Sequence, residues 1–120
     1  MPDEPRPLIW RGGSKADFLT FPPAVQREMG YALFLAQMGE RHPTMTKTLK
    51  GFGGGTVVEV KESHDGNAYR AVYTVRHADA VYVLHAFQKK SKKGIATPKA
   101  DMDLIEKRLK ELTNEKERRP

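Results

Sequence analysis

The chain has 120 residues, of which 38% are hydrophobic and 30% charged, which is enough for one small domain with a modest core. The absence of cysteine excludes disulfides, thiol catalysis and thiolate metal sites, and the net charge of +6 favours a polyanionic partner. Because no apolar run is long enough to cross a bilayer and the first residues do not resemble a signal peptide, we expect a cytoplasmic protein without membrane contact.

The N-terminal segment predicts a flexible tail, a short strand and a short helix. Residues 1–7 contain three prolines, and we expect them to be flexible. The apolar run Leu8-Ile9-Trp10 predicts a first strand. Ser14 fits an N-cap, and the helix that it opens is predicted over residues 15–20, since two prolines follow.

A second helix is predicted to begin at Pro22-Pro23 and to end at Gly39. Proline is accepted in the first turn of a helix, and glycine is a common C-cap. Apolar residues recur at helical spacing between these two points, which predicts a buried stripe. The predicted core residues of this helix are Val25, Met29, Tyr31, Leu33, Phe34 and Ala36, with Leu35 and Met38 widening the stripe.

Two connectors are predicted to follow the second helix. Residues 42–50 are polar, and residues 51–55 (GFGGG) form a glycine-rich loop. A Walker phosphate loop requires Gly-Lys-Ser/Thr leading into a helix, whereas these glycines lead into a predicted strand. We therefore interpret residues 51–55 as a mobile link and not as a nucleotide-binding motif.

Three consecutive strands are predicted over residues 56–62, 68–77 and 80–88. Each is rich in valine, tyrosine or threonine, and Asp65-Gly66 is a turn signal between the first two. This pattern is typical of an antiparallel meander.

Basic residues lie on the strands of the meander and directly after them. Because side chains alternate across a strand, we expect Lys61, Arg70 and Arg76 to line one open face of the sheet. The lysine run of residues 89–93 (KKSKK) would lie at the rim of that face. Phosphate is the natural ligand of such a surface, although each cation is also explained as ordinary surface charge, and Glu59 as an ion-pair partner of Lys61 or Arg70.

No carboxylate pair, metal cluster or nucleophile triad stands out, so we predict no metal and no cofactor. Of the four histidines, His85 lies within the strand that precedes the lysine run. Either it is a partly buried core histidine or it is a general acid or base.

A C-terminal helix is predicted from Thr97 as N-cap and Pro98 as first helical residue. Its apolar stripe consists of Met102, Ile105, Leu109 and Leu112. Residues 114–120 are strongly charged, and we expect them to fray.

The order of these motifs resembles the RelE/ParE superfamily of toxins, and within it the phage-derived HigB-type branch. The resemblance extends from about Leu8 to Leu112. It rests on TLKGFGGGTVVEVK (48–61), AYRAVYTV (68–75), VYVLHAFQKKSKK (81–93) and TPKADMDLIEKRL (97–109).

The resemblance implies an α+β domain over residues 1–120, with a curved, mostly antiparallel sheet, two N-terminal helices and a C-terminal helix. It further implies a toxin restrained by a cognate antitoxin of helix-turn-helix type, and a metal-independent endoribonuclease that cleaves mRNA on the ribosome. By motif position the family's basic residues fall on Lys61, Arg70 and Lys89. We add Lys90, which is beside Lys89, and His85 as the titratable group, and we expect all five to be catalytic. Arg76, Lys92 and Lys93 are then expected to bind RNA.

Two other functions remain open from the sequence. A ParE-like toxin on the same fold would inhibit DNA gyrase and cleave no RNA. A plain RNA-binding module would have the basic surface without catalysis.

Overall fold

A computed structural model describes residues 4–89 and 96–118. The strands are β1 (Leu8–Trp10), β2 (Thr46–Thr48), β3 (Val57–His64), β4 (Asn67–Thr74) and β5 (Val81–Lys89). The helices are α1 (Ser14–Phe18), α2 (Pro23–Gln37) and α3 (Lys99–Arg118). None of them is long and apolar enough to span a membrane, as far as the described ranges extend.

The five strands form one sheet in the order β1-β5-β4-β3-β2. The pairs β2–β3, β3–β4 and β4–β5 are antiparallel, and β1 lies parallel to β5. The predicted meander is therefore confirmed, and its first turn has positive φ at Asp65 (50°) and Gly66 (79°), as a tight two-residue hairpin turn requires. The predicted α+β fold class, with a mostly antiparallel sheet between N-terminal and C-terminal helices, is confirmed as well.

Helices α1 and α2 cover one face of the sheet. Their apolar side chains pack against the side of the meander that carries Val58, Val60 and Tyr73. Four aromatic side chains of this core contact one another in sequence, with neighbouring ring centroids 5.0–5.6 Å apart. In order they are Trp10, Phe18, Phe21 and Tyr69.

The N-cap prediction for Ser14 is wrong. Gly13 holds the cap position, without a side-chain hydrogen bond, and Ser14 is the first helical residue. The Ser14 hydroxyl is buried and donates to the carbonyl of Val83 at 3.2 Å. Ser14 is therefore used for a buried hydrogen bond to β5 and not for helix capping, which its local sequence favours.

Helix α2 begins and ends close to the predicted positions, but its buried face is narrower than predicted. Gly39 follows the helix with φ +82°, as a C-terminal glycine should. Val25, Met29 and Leu33 are buried, whereas Tyr31 and Phe34 are exposed, so the prediction of these two aromatics as core is wrong. The reason is geometric: they lie on the side of the helix that faces away from the sheet.

Helix α3 covers part of the opposite face of the sheet. Ile105, Leu109 and Leu112 are buried against Val57 and Leu84, as their spacing predicts. The guanidinium of Arg108 crosses to the sheet and donates to the carbonyl of Leu84 at 2.8 Å. Gly12 lies below this side chain with φ +55°, and a Cβ there would be 2.6 Å from Arg108 Nε, so a larger residue would be strained and would displace the arginine.

The last turns of α3 continue to Arg118, beyond the point where the sequence predicted fraying. Glu115 forms a two-pronged ion pair with Arg11, which raises the pKa of the arginine. Lys116 binds Asp79, and the Tyr82 hydroxyl donates to the same carboxylate at 2.8 Å. Hydrogen bonds from these two groups lower the pKa of Asp79.

Strand β2 lies where the sequence predicted only a polar connector. Thr46, Lys47 and Thr48 pair with Val60, Glu59 and Val58. The prediction of a connector was wrong because three residues are too few to give a convincing alternation.

Candidate nucleic-acid interface

Lysines from three strands form a basic row on the face of the sheet that α3 only partly covers. Lys47 pairs with Glu59, and Lys61 lies two residues further along β3, so Lys47 and Lys61 are diagonal neighbours on this face. Such neighbours lie about 7–8 Å apart. Lys61 is also directly opposite Arg70 on β4, and Lys89 on β5 is diagonal to Arg70. We call Lys47, Lys61 and Lys89 the basic row.

Arg70 lies beneath this row and not within it. It is 1% exposed, and its Nη1 donates to Oε2 of Glu59 at 3.1 Å. Glu59 is itself 1% exposed. The expectation that Arg70 lines an open face is therefore wrong, because a buried carboxylate on the neighbouring strand holds its guanidinium inside. The sequence-based alternative that Glu59 pairs with Arg70 is confirmed.

Glu59 joins four segments of the chain. Besides Arg70, its carboxylate accepts a hydrogen bond from the Thr97 hydroxyl at 2.9 Å, and Lys47 Nζ lies 3.7 Å from its second oxygen. The Thr97 side chain is thus directed at the sheet. One carboxylate fixes the segment that leads into α3 relative to β2, β3 and β4.

His85 forms a pair with the first turn of α3. Its Nε2 lies 2.7 Å from Oδ1 of Asp101, and its ring stacks on Phe87 with centroids 4.8 Å apart. Nδ1 is buried and has no hydrogen-bond partner among the described residues. Because His85 is 5% exposed, proton transfer to a large substrate would require the first turn of α3 to move.

The remaining predicted residues are divided between three places. Lys89 is half-buried and donates to the carbonyl of Ala96. Lys90, Lys92 and Lys93 lie outside the described residues. Arg76 is exposed, but it follows the end of β4 that is far from Lys61 and Lys89. The prediction that Arg76 shares a surface with Lys61 is therefore wrong.

Arg76 supports the glycine-rich loop. Its Nη2 donates to the carbonyl of Phe52 at 2.9 Å, and its Nε donates to Thr56 Oγ1 at 3.2 Å. Glycines 51, 53, 54 and 55 all have positive φ there.

Two residues of this surface were missed by the sequence reasoning. Lys47 was missed together with β2, whose three residues are too few for a reliable strand prediction, although threonine itself favours strands. Asp101 was not among the predicted site residues, although it pairs with His85 in the structure. Across the described ranges, no three His, Asp or Glu side chains are grouped as a metal site.

The comparison that decides the family covers most of the chain. Residues 16–110 match the model of the family described as phage derived protein Gp49-like. The chain belongs to this Gp49-like family. The family is one of RelE-like toxins, so the superfamily predicted from the motif order is confirmed.

One solved structure supports the fold. A free-state double arginine-to-alanine mutant of the Escherichia coli toxin RelE is similar to this Gp49-like chain, with a TM-score of 0.58 and 15% identity over 90% of this chain and 98% of that one. The toxin–antitoxin complex RelBE2 from Mycobacterium tuberculosis has a TM-score of 0.45 and 18% identity over 75% of this chain and 98% of that chain. Among curated proteins there is no match.

Proposed function

We propose that this Gp49-like protein is the toxin of a toxin–antitoxin pair and that it acts as an endoribonuclease on mRNA at the ribosome. The observation that carries the proposal is the basic row on the face of the sheet opposite α1 and α2. Lys61 is exposed and Lys47 has a side chain that is 55% exposed, so both are available to phosphate. The likeness to the RelE structure supports the fold on which this activity would operate.

The chemistry of RNA cleavage assigns roles to these residues. Attack of the 2′-hydroxyl on the adjacent phosphate requires a proton acceptor, a proton donor for the leaving 5′-oxygen, and cations for the charge that develops on phosphorus oxygens. Lys61 and Lys89 supply the cations, with Lys90, Lys92 and Lys93 continuing the charge along the sequence. His85, held by Asp101, is the proposed proton-transfer group.

Arg70 has an indirect role in this proposal. With 1% of its surface exposed it does not meet RNA, but it fixes Glu59, and Glu59 fixes Lys47 and Thr97. Arg70 is therefore a positioning residue. Arg76 is proposed to support the glycine-rich loop instead of binding RNA.

A cognate antitoxin of helix-turn-helix type, encoded by a neighbouring gene, is the proposed partner. The net charge of +6 makes an acidic segment a favourable ligand.

The test is expression of the chain alone and together with its neighbouring gene product. We expect growth arrest with the toxin alone and normal growth with both. Primer extension on mRNA from arrested cells should reveal new 5′ ends within translated codons, and purified ribosomes programmed with mRNA should be cut by the purified protein. Normal growth at high soluble expression would contradict the toxin role. Arrest with intact mRNA, together with inhibition of gyrase supercoiling, would instead establish gyrase as the target.

A further inference from the structure

A cleft with both apolar and basic lining residues lies beside the basic row, and the proposed catalytic roles do not use it. It has a volume of about 410 Å³ and lies between the end of β2 and the beginning of α3. This volume falls within the range of about 300–1,000 Å³ that is usual for small-ligand sites. Its lining residues are Lys47, Thr48, Leu49, Lys50, Ala96, Thr97 and Met102.

The cleft combines an apolar wall with a cationic rim. Leu49 is buried and Met102 packs against the same cluster, with its terminal methyl 3.9 Å from where a Cβ on Gly51 would lie. Methionine adapts its shape to a flat ligand. Lys47 and Lys50 are exposed at the rim. An apolar wall beside two cations is complementary to a nucleobase attached to phosphate.

The Thr97 hydroxyl adds a hydrogen-bond acceptor to the cleft. Because it donates its proton to Glu59, its lone pairs are left to accept a hydrogen bond from a ligand in the cleft. The lysines donate, and Thr97 accepts. Lys47 belongs both to the cleft and to the basic row, so a ligand in the cleft would be continuous with a chain of phosphates along the row.

We propose that this cleft binds one nucleotide of a single-stranded RNA, with the base against Leu49 and Met102 and its phosphate on Lys47 and Lys50. The proposal rests on the proposed function, since it gives the substrate RNA a second anchoring point beside the reacting phosphate. A peptide segment is the competing occupant, but the cationic rim favours the polyanion.

The experiment measures binding of a fluorescein-labelled six-nucleotide RNA, 2′-O-methylated throughout so that it resists cleavage, by anisotropy at several salt concentrations. Lys50→Ala should weaken binding about fivefold at 0.1 M salt and reduce the slope of log K against log salt by about 0.7. Lys47→Ala should behave similarly, but Lys50 is the cleaner variant because Lys47 also contacts Glu59. Lys15→Ala removes the same charge from α1 and is the matched control.

The apolar wall is tested separately. Met102→Ala should weaken binding about three- to tenfold without altering the salt slope, and Met102→Leu should restore it. Thermal melting verifies that each variant is folded. Binding that responds equally to Lys15→Ala and Lys50→Ala, or that ignores Met102→Ala, would overturn the nucleotide site.

The two proposals fail in different ways. Because the RNA cannot be cut, cleft-dependent binding by a protein that causes no growth arrest would uphold the site and reject the toxin role. Growth arrest and mRNA cleavage that are insensitive to Lys50→Ala and Met102→Ala, with no cleft-dependent binding, would uphold the toxin role and reject the nucleotide site.

Discussion

Arg70 and Glu59 bind each other inside the protein, with Nη1 and Oε2 3.1 Å apart and both residues 1% exposed. Taking two charges out of water is costly, and their attraction compensates only while both are present. Thr97 and Lys47 add further contacts to the same carboxylate. The pair therefore couples the stability of the sheet to the position of the segment that leads into α3.

Removing one member of this pair should destabilise the fold. Arg70→Ala and Glu59→Ala leave a buried charge without its principal partner, and each should lower the free energy of unfolding by about 3–5 kcal/mol. Urea denaturation followed by circular dichroism measures this. The double variant Arg70→Met with Glu59→Leu should recover most of the loss. A single variant with wild-type stability would contradict the structural role, and loss of toxicity in Arg70→Ala is to be interpreted only beside its stability.

Removing a lysine of the basic row should reduce activity without unfolding the protein. Lys61 is exposed, so Lys61→Ala is expected to change stability by less than about 0.5 kcal/mol. Loss of one cation at the developing charge should slow cleavage of ribosome-bound mRNA about 10²–10³-fold. Lys15→Ala is the control on the opposite side of the sheet. Equal rates for Lys61→Ala and wild type would remove Lys61 from the site.

His85 is tested by a substitution that keeps size and polarity. If His85 transfers a proton during cleavage, His85→Gln should slow the cleavage of ribosome-bound mRNA about 10²–10⁴-fold. Asp101→Asn should reduce the rate less than His85→Gln does, because the imidazole remains. Unchanged cleavage by His85→Gln would assign the His85–Asp101 pair to the docking of α3 alone.

His77 should make stability depend on pH. Burial, reinforced by the charge of Lys116, lowers the pKa of His77, while Asp79 opposes this. The unfolded chain, with a histidine pKa of about 6.5, therefore binds the proton first as the pH falls. The contribution of neutral His77 is complete above pH 6.5 and is lost as the pH falls through the folded pKa.

The measurement is urea denaturation at several pH values between about 7.5 and 4.5. His77→Gln should flatten the decline of the unfolding free energy in this window, whereas His64→Gln, at the β3–β4 turn, is the matched control. Parallel curves for wild type and His77→Gln would contradict the assignment.

Local signals explain why the meander was predictable. Asp65-Gly66 defines its turn, and runs of β-branched residues define its strands, so the pattern needs no knowledge of distant contacts. The stripe of α3 was predictable for the same reason, since its spacing alone selects Ile105, Leu109 and Leu112.

The site was only partly predictable because its decisive contacts join distant segments. The parity of Arg70 along β4 was correct, but its guanidinium is held inside by Glu59 on the neighbouring strand, and Glu59 is itself bound by Thr97 from beyond the lysine run. Likewise, no local pattern pairs His85 with Asp101. Tyr31 and Phe34 show the converse error, since apolar character alone does not determine which side of a helix meets the sheet.

The parallel pairing of β1 with β5 has a consequence for synthesis. Leu8 pairs with Val81, so the N-terminal strand β1 can join the sheet only after β5, in the second half of the chain, has been synthesised. Contacts this distant in sequence close late in folding because of the entropy of the intervening loop. For a chain proposed to attack ribosomes, this order has a benefit. The sheet is completed only after β5 has left the exit tunnel, so a ribosome that is still synthesising β5 carries a protein whose sheet and basic row are incomplete.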